Sequence, residues 1–109
     1  MLILPTRTNI PHYEFEIELD GVSVRLEFRW NDREAAWFFD VLELDASPIL
    51  QGRKVVLGLP LLGRFADARL PTGDLIAIDT AGTNVEPGID ELGTRVRLCY
   101  ATAAELAAG

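Results

Sequence analysis

The clearest pattern in the chain is a strict alternation of apolar and polar residues between positions 13 and 30. Apolar side chains occupy every second position, at Tyr13, Phe15, Ile17 and Leu19 and then at Val22, Val24, Leu26, Phe28 and Trp30. A period of two is typical of half-buried strands, and Asp20-Gly21 between the two halves is a strong signal for a two-residue turn. The pattern therefore predicts a β-hairpin with strands at about 13–19 and 22–30.

The short turn also predicts which residues face each other across the hairpin. Leu19 is expected opposite Val22, with the pairs Ile17–Val24, Phe15–Leu26 and Tyr13–Phe28 following from the same register. On the other face, Glu16 is expected opposite Arg25, which is a favourable pair. Nine apolar side chains then share one face. Burying each large one is worth roughly 1.5–3 kcal/mol, so the rest of the chain must cover this face.

Short apolar runs separated by turn residues continue downstream of the hairpin. They predict strands at about 37–44, 49–57, 75–78 and 95–100, with Gly52 forming a bulge. The fold class is therefore all-β, a small antiparallel β-barrel or sandwich of about six strands. Arg95 and Arg97 point outward from the last strand, which we expect to lie beside the glutamates of the first strand.

The strand at 37–44 is apolar on both faces except at Asp40. Such a strand is expected to be covered on both sides, and Phe38 lies on the face that the hairpin does not need. A buried carboxylate at Asp40 requires a charged or hydrogen-bonding partner, for which Arg33 is a candidate. We interpret Trp30, Asn31, Arg33, Trp37 and Asp40 as a structural turn lock.

The chain has 109 residues, which corresponds to one domain. Residues 1–11 are expected to form an extended arm, because Pro5 and Pro11 oppose helix. The apolar tip of that arm, Leu2-Ile3-Leu4, either completes the chain's own core or docks on a neighbour. Residues 12–100 then form the β-domain, and residues 101–109 a flexible tail. The tail carries a capping-box pattern, Thr102-x-x-Glu105, but is too short to hold a helix alone.

Charge and composition exclude several classes of function. The formal net charge is −7, and a field of that sign repels phosphate backbones, so specific nucleic-acid binding is not expected. No apolar run approaches the roughly 20 residues of a membrane span. Cys99 is the only cysteine, which excludes an intrachain disulfide and fits a reducing compartment such as the cytoplasm.

The inventory of catalytic residue types is equally short. His12 is the only histidine, and Cys99 has no second cysteine or histidine near it in the sequence, so neither a nucleophile–base dyad nor zinc-ligand spacing is present. We expect no catalytic residue, no metal and no cofactor. A small enzyme would instead require a cleft with perturbed carboxylates around Asp40.

Trp30 and Trp37 leave one further alternative open. Exposed tryptophans stack on sugar rings, so the chain could be a small carbohydrate-binding β-module that uses both of them. That alternative requires an exposed, coplanar pair of rings. The other interpretation is that both side chains pack in the core, since each continues an inward-facing row.

Taken as an ordered set, the motifs of the chain resemble those of the baseplate plug domain of contractile-tailed phages. The set begins with F-x-I-x-L-D-G at 15–21, L-x-x-R-W-N-x-R at 26–33 and W-x-F-D-V at 37–41. It continues with P-I-L-x-G at 48–52, V-x-G-x-P-L-L at 56–62, L-P-x-G-x-L at 70–75, D-T at 79–80 and L-G-x-x-V-x-L-x-Y at 92–100. The resemblance leaves out only the arm and the tail.

This resemblance implies a virion protein of the tail baseplate, made in the host cytoplasm and present in several copies. Its implied partners are copies of itself, the hub and the tail tube, and it implies no catalytic residues. An assembly protein works by burying surface. The candidate interface residues are Leu2, Ile3, Leu4, Phe38 and Phe65.

Overall fold

The computed structural model describes residues 2–7, 10–58, 60–62 and 69–108, in which it forms seven strands and one short helix. The elements are β1 (Leu2–Ile3), β2 (His12–Leu19), β3 (Val22–Asn31), β4 (Ala36–Leu42), β5 (Pro48–Lys54), β6 (Asp74–Asp79), β7 (Val96–Ala101) and α1 (Ala103–Ala108). The strands form two antiparallel sheets, with orders β1-β7-β6 and β2-β3-β4-β5. The prediction of an all-β fold is confirmed.

The first hairpin has the register that its turn predicts. Leu19 pairs with Val22, and the ladder continues through Ile17–Val24, Phe15–Leu26 and Tyr13–Phe28. Asp20 and Gly21 both have positive φ, at 51° and 78°. Positive φ at both central residues is the requirement of the type I′ turn that suits the twist of paired strands.

The predicted bulge at Gly52 is also confirmed. Phe39 pairs with Arg53 and Val41 with Leu50, so Gln51 and Gly52 together stand opposite Asp40. Gly52 has φ 69°, a conformation that glycine adopts without the steric cost of a Cβ. A second register shift follows between Val41 and Leu42, so β5 is an irregular strand at one end of its sheet.

The expectation that the last strand borders the first is wrong. β7 lies between β1 and β6, in the other sheet from β2. Arg95 is instead bonded to Asp79 at 2.9 Å and to Glu91 at 2.8 Å, carboxylates close to its own end of the sheet. Exposed charge pairs, such as those expected with the glutamates of β2, contribute little to stability. The buried apolar side chains of β7 therefore decide its position.

Both sheets contribute to a single hydrophobic core. Its largest fully buried side chains come from Phe28, Trp37 and Phe39 in one sheet and from Leu75, Leu98 and Tyr100 in the other. Within the described ranges, no ladder between named strands joins the two sheets, so the strands do not close into a barrel. The sandwich arrangement stays a prediction.

Parts of the arm and of the tail belong to the fold. Leu4 is 2% exposed and its N–H donates to the carbonyl of Leu98 at 2.8 Å. In the tail, the capping box forms: the N–H of Glu105 donates to Oγ1 of Thr102, and the N–H of Thr102 donates to Oε1 of Glu105. The domain boundaries and the flexibility of the tail stay predictions. Among the described segments, no helix has the length and apolar character needed to cross a membrane.

Gly73 provides a test of the packing between β6 and β7. A Cβ at this position would lie 2.0 Å from the carbonyl oxygen of Ala101 and 2.5 Å from Oη of Tyr100. Gly73→Ala is therefore expected to lower the free energy of unfolding by about 1–3 kcal/mol or more, because the backbone must shift. Urea denaturation measures this, with exposed Ser23→Ala as the control, expected within about 0.5 kcal/mol of the parent. Equal midpoints for Gly73→Ala and the parent would contradict the packing.

Candidate functional site

Among the turn-lock residues, Asp40 is a buried charged side chain, which lies on β4 and is 4% exposed. Nη1 and Nη2 of Arg29 donate to its two carboxylate oxygens at 2.5 and 2.9 Å. The N–H of Gly52 donates to Oδ1 at 2.8 Å. Because Arg29 lies on β3 and Gly52 on β5, one carboxylate joins three neighbouring strands.

The partner of Asp40 is Arg29 and not Arg33, so the predicted pairing with Arg33 is wrong. Arg33 lies in the exposed turn between β3 and β4. Across those strands Asp40 stands opposite Glu27, while Arg29 stands opposite Phe38. Arg29 is therefore the diagonal neighbour of Asp40 on the same face, within reach of a long side chain. The register of β3 and β4 was the signal that could have found it.

Arg29 also lies 3.7 Å from Glu27, whose carboxylate is bonded to His12. The guanidinium of Arg29 therefore lies close to both carboxylates, Glu27 and Asp40, that face each other across β3 and β4. Burial raises the pKa of Asp40, but the hydrogen bonds from Arg29 and Gly52 outweigh it and hold that pKa below its usual value. The hydrogen bond to Asp40 in turn raises the pKa of Arg29. Asp40 is thus held ionised, which suits a structural pin and not a proton donor near neutral pH.

The two tryptophans do not form a flat platform. Their ring centroids lie 5.6 Å apart with an interplanar angle of 64°. Trp37 is fully buried, and its Nε1–H donates to the carbonyl of Gly88 at 3.1 Å. Trp30 is half-buried, and its Nε1–H donates to Oδ1 of Asp32 at 2.6 Å. The exposed, coplanar pair that a carbohydrate-binding module would require is absent.

Asn31 stabilises the turn between β3 and β4. Its Oδ1 accepts a hydrogen bond from the N–H of Glu34 at 3.1 Å. Ala35 completes the turn with φ 51°, in the left-handed region. Asn31 thus lies at the start of the turn, and Trp30, Trp37 and Asp40 lie on the two strands that the turn joins. Arg33 lies in the turn itself and is not a partner of Asp40.

An open groove of about 580 Å³ lies beside this network, lined by Arg29, Trp30, Asn31, Asp32, Phe38 and Gly52. The one basic side chain in its lining is engaged by Asp40. Phe38 is half-buried in this wall. No group of three His, Cys, Asp or Glu side chains that could hold a metal occurs in the part of the chain that the structure describes. The role of Phe38 as an interface residue stays a prediction.

The other candidate interface residues divide into three groups. Leu2 and Ile3 are 46% and 56% exposed, on the outer strand of the three-stranded sheet. Leu4 fills the chain's own core and is not available to a partner. Phe65 lies outside the described residues.

Sequence reasoning missed a second carboxylate that joins distant parts of the chain. Oδ2 of Asp20, in the hairpin turn, accepts bonds from the hydroxyl of Tyr100 at 2.6 Å and from the N–H of Ala103 at 3.0 Å. The hydrogen bond from Tyr100 lowers the pKa of Asp20. This contact fastens the hairpin tip to β7 and to the start of α1. No local sequence signal indicates it, because the residues are 80 positions apart.

A third carboxylate, Asp79, organises the loop that follows β6. It accepts hydrogen bonds from the N–H groups of Ala81 and Asn84 and from the hydroxyl of Thr83, and it is paired with Arg95. Although burial raises the pKa of Asp79, these contacts lower it far below its usual value. The acidic residues with the clearest partners thus hold strands and loops together.

The comparisons with known proteins agree with a structural role. The profile of the cyanophage baseplate Pam3 plug gp18 family matches residues 1–103. A search of curated proteins found no match. The profile covers well over half of the chain, so the chain belongs to this baseplate plug family. The resemblance inferred from the sequence motifs is confirmed, and membership implies phage structural partners and a location in the virion tail.

The substitution Asp40→Asn tests whether the contacts of Asp40 with Arg29 and Gly52 stabilise the fold. The amide cannot keep the ion pair with Arg29, so the free energy of unfolding is expected to fall by about 1.5–3 kcal/mol, the range for hydrogen bonds to charged groups. The midpoint of urea unfolding measures it. Arg33→Ala is the matched control, expected within about 0.5 kcal/mol of the parent because Arg33 is exposed. A larger loss in Arg33→Ala than in Asp40→Asn would contradict the assignment.

The pH dependence of the same variant follows from the lowered pKa of Asp40. A carboxylate with a lowered pKa in the folded state stabilises the protein above its usual pKa, and that stabilisation is lost as the pH falls through the folded value. The difference in unfolding free energy between the parent and Asp40→Asn should therefore be full at pH 7 and shrink below pH 3.8, the usual value for Asp. Urea titrations across this range measure it, and a difference independent of pH would contradict the ionised pin.

Proposed function

We propose that this member of the baseplate plug family is a structural part of the phage tail baseplate, made in the host cytoplasm and assembled in several copies. Its partners in this proposal are the hub and tail-tube proteins. The observation that carries the proposal is the family match across residues 1–103. The protein acts by burying surface against these partners, with no catalytic step.

The use of charge in the structure supports this proposal. Asp20, Asp40 and Asp79 each accept several hydrogen bonds from groups on other elements or along a loop. Each is engaged in holding the fold, and the pKa of each is lowered, whereas a carboxyl that donates a proton near neutral pH needs a raised pKa. A part that must keep its shape under the load of an assembled tail benefits from such fixed contacts.

The exposed tip of the arm is the surface best suited to a partner. Leu2 and Ile3 form β1, the outer strand of the three-stranded sheet, where they pair with Tyr100 and Cys99. Both are large, apolar and about half exposed. Exposed apolar side chains at a sheet edge are typical of contact sites, because their contact with water is unfavourable and a partner can bury them.

Replacement of the tip tests the proposal better than removal of the whole arm. Deleting residues 1–10 would also remove Leu4 from the core. Leu2→Ser with Ile3→Ser leaves Leu4 in place and is expected to reduce incorporation into tails at least about tenfold. The reason is that burying two half-exposed large apolar side chains is worth about 1.4 kcal/mol or more.

The measurement is the amount of the protein in purified tails relative to a tail-tube protein, by quantitative mass spectrometry. Val85→Ser is the matched control, since Val85 is apolar and 58% exposed on the loop between β6 and β7. Normal incorporation of the double variant would show that the arm tip is not the assembly element. Absence of the parent protein from purified tails would overturn the proposed function itself.

A further inference from the structure

The edge strands of the two sheets, β1, β6, β2 and β5, differ in whether an additional strand could pair with them. The segment after β5 covers the outer edge of β6. The N–H of Gly58 donates to the carbonyl of Ala77, and the N–H of Leu61 donates to the carbonyl of Leu75. β1 offers two residues only. β5 begins with Pro48 and contains two register shifts. Proline and bulges are the usual devices that protect an edge from pairing.

β2 has none of these devices. It is an end strand of eight residues, HYEFEIEL, without proline, glycine or bulge, and all eight pair in regular register with β3. Among the described residues, no backbone hydrogen bond outside the β2–β3 ladder reaches positions 12–18. β2 is therefore the one long and regular edge in the described part of the protein.

The turn geometry shows which backbone groups this edge presents. In a two-residue type I′ hairpin, the residues that flank the turn, Leu19 and Val22, form a hydrogen-bonded pair. Hydrogen-bonded pairs then recur at every second residue, which agrees with the bond from Trp30 N–H to Pro11 O at 2.8 Å. The N–H and C=O groups of Glu14, Glu16 and Glu18 consequently point away from β3.

The side chains along the edge specify the chemistry of an added strand. Glu14, Glu16 and Glu18 are exposed on one face, where Arg25 lies 3.7 Å from the first two and compensates them only in part. On the other face, Tyr13, Phe15 and Ile17 are only partly buried against the core. An added strand would place side chains beside both rows, so it fits if basic residues alternate with apolar ones.

A second copy of the chain does not meet this requirement through the same edge. Antiparallel pairing of two β2 strands would place glutamates of one copy beside glutamates of the other, and like charges directly opposite are destabilising. The chain has a suitable alternation at Arg95-Val96-Arg97-Leu98, but β7 already lies between β1 and β6.

We infer that the β2 edge is a strand-addition site for an extended segment of another baseplate protein in which basic and apolar residues alternate. The backbone groups of Glu14, Glu16 and Glu18 supply the hydrogen bonds, and their carboxylates select the basic residues. The inference rests on the proposed function, because it names the class of partner that the baseplate would supply.

A synthetic peptide and a single proline test the site on the full chain. The probe is an eight-residue peptide of alternating lysine and valine, as long as β2. Its reference is a peptide of the same composition with the lysines and valines in two blocks. Titration calorimetry at low salt is expected to show binding of the alternating peptide at least about tenfold tighter than the block peptide.

Glu16→Pro removes the outward N–H at the centre of the edge while leaving the bonds of Phe15 and Ile17 to β3. It is expected to weaken binding at least about tenfold, whereas Glu16→Gln, which keeps the N–H, should weaken it only about threefold. If Glu16→Pro does not fold, Glu14→Lys with Glu18→Lys replaces it, with the same tenfold loss expected. Equal affinity for the two peptides, or parental binding by a folded edge variant, would overturn the inference.

Incorporation into tails separates this inference from the proposed function. A folded Glu16→Pro chain should be depleted from purified tails that contain the parent protein normally. If the parent is present and the variant is incorporated equally well, the edge is not used and the structural role stands. If the parent is absent from tails, the proposed function fails, while peptide binding still reports on the edge.

Discussion

The carboxylate of Asp40 is the contact on which the shape of the larger sheet depends. It is buried on β4 and bonded at once to Arg29 on β3 and to the N–H of Gly52 in the bulge of β5. An unpartnered carboxylate at this depth would be strongly unfavourable, and the bulge places the N–H of Gly52 where it adds a third hydrogen bond to the two from Arg29. One end of the sheet therefore carries register shifts, while the other end, β2, keeps a regular ladder.

This asymmetry gives the protein two kinds of sheet edge. The β5 edge is irregular and begins with Pro48, and β6 is covered by residues that follow β5. The β2 edge is long and acidic, and the tip of the arm is short and apolar. A subunit of a larger assembly needs surfaces that bind its neighbours and other surfaces that are protected from unwanted strand pairing. The family to which the chain belongs is one of baseplate plugs.

How much of this could be predicted from the sequence depended on the distance between the interacting residues. The hairpin register followed from Asp20-Gly21 and a period of two, because both are local, and Gly52 marked the bulge for the same reason. Proximity in the sequence favours Arg33 as the partner of Asp40, whereas the register of β3 and β4 puts Arg29 beside it. Charge favours a place for β7 next to β2, but β7 lies in the other sheet, where its apolar side chains are buried. The bond from Tyr100 to Asp20 spans 80 positions and has no local signature.

Amide hydrogen exchange of the free full-length chain tests the central claim most directly, that Asp40 fixes a sheet with one regular, open edge. The N–H of Gly52 should be protected as strongly as those of Phe15 and Ile17, because Asp40 holds it as firmly as β3 holds them. The N–H groups of Glu14, Glu16 and Glu18 should exchange close to the rate of an unprotected chain. Rapid exchange at Gly52, or strong protection along the outward groups of β2, would contradict the account.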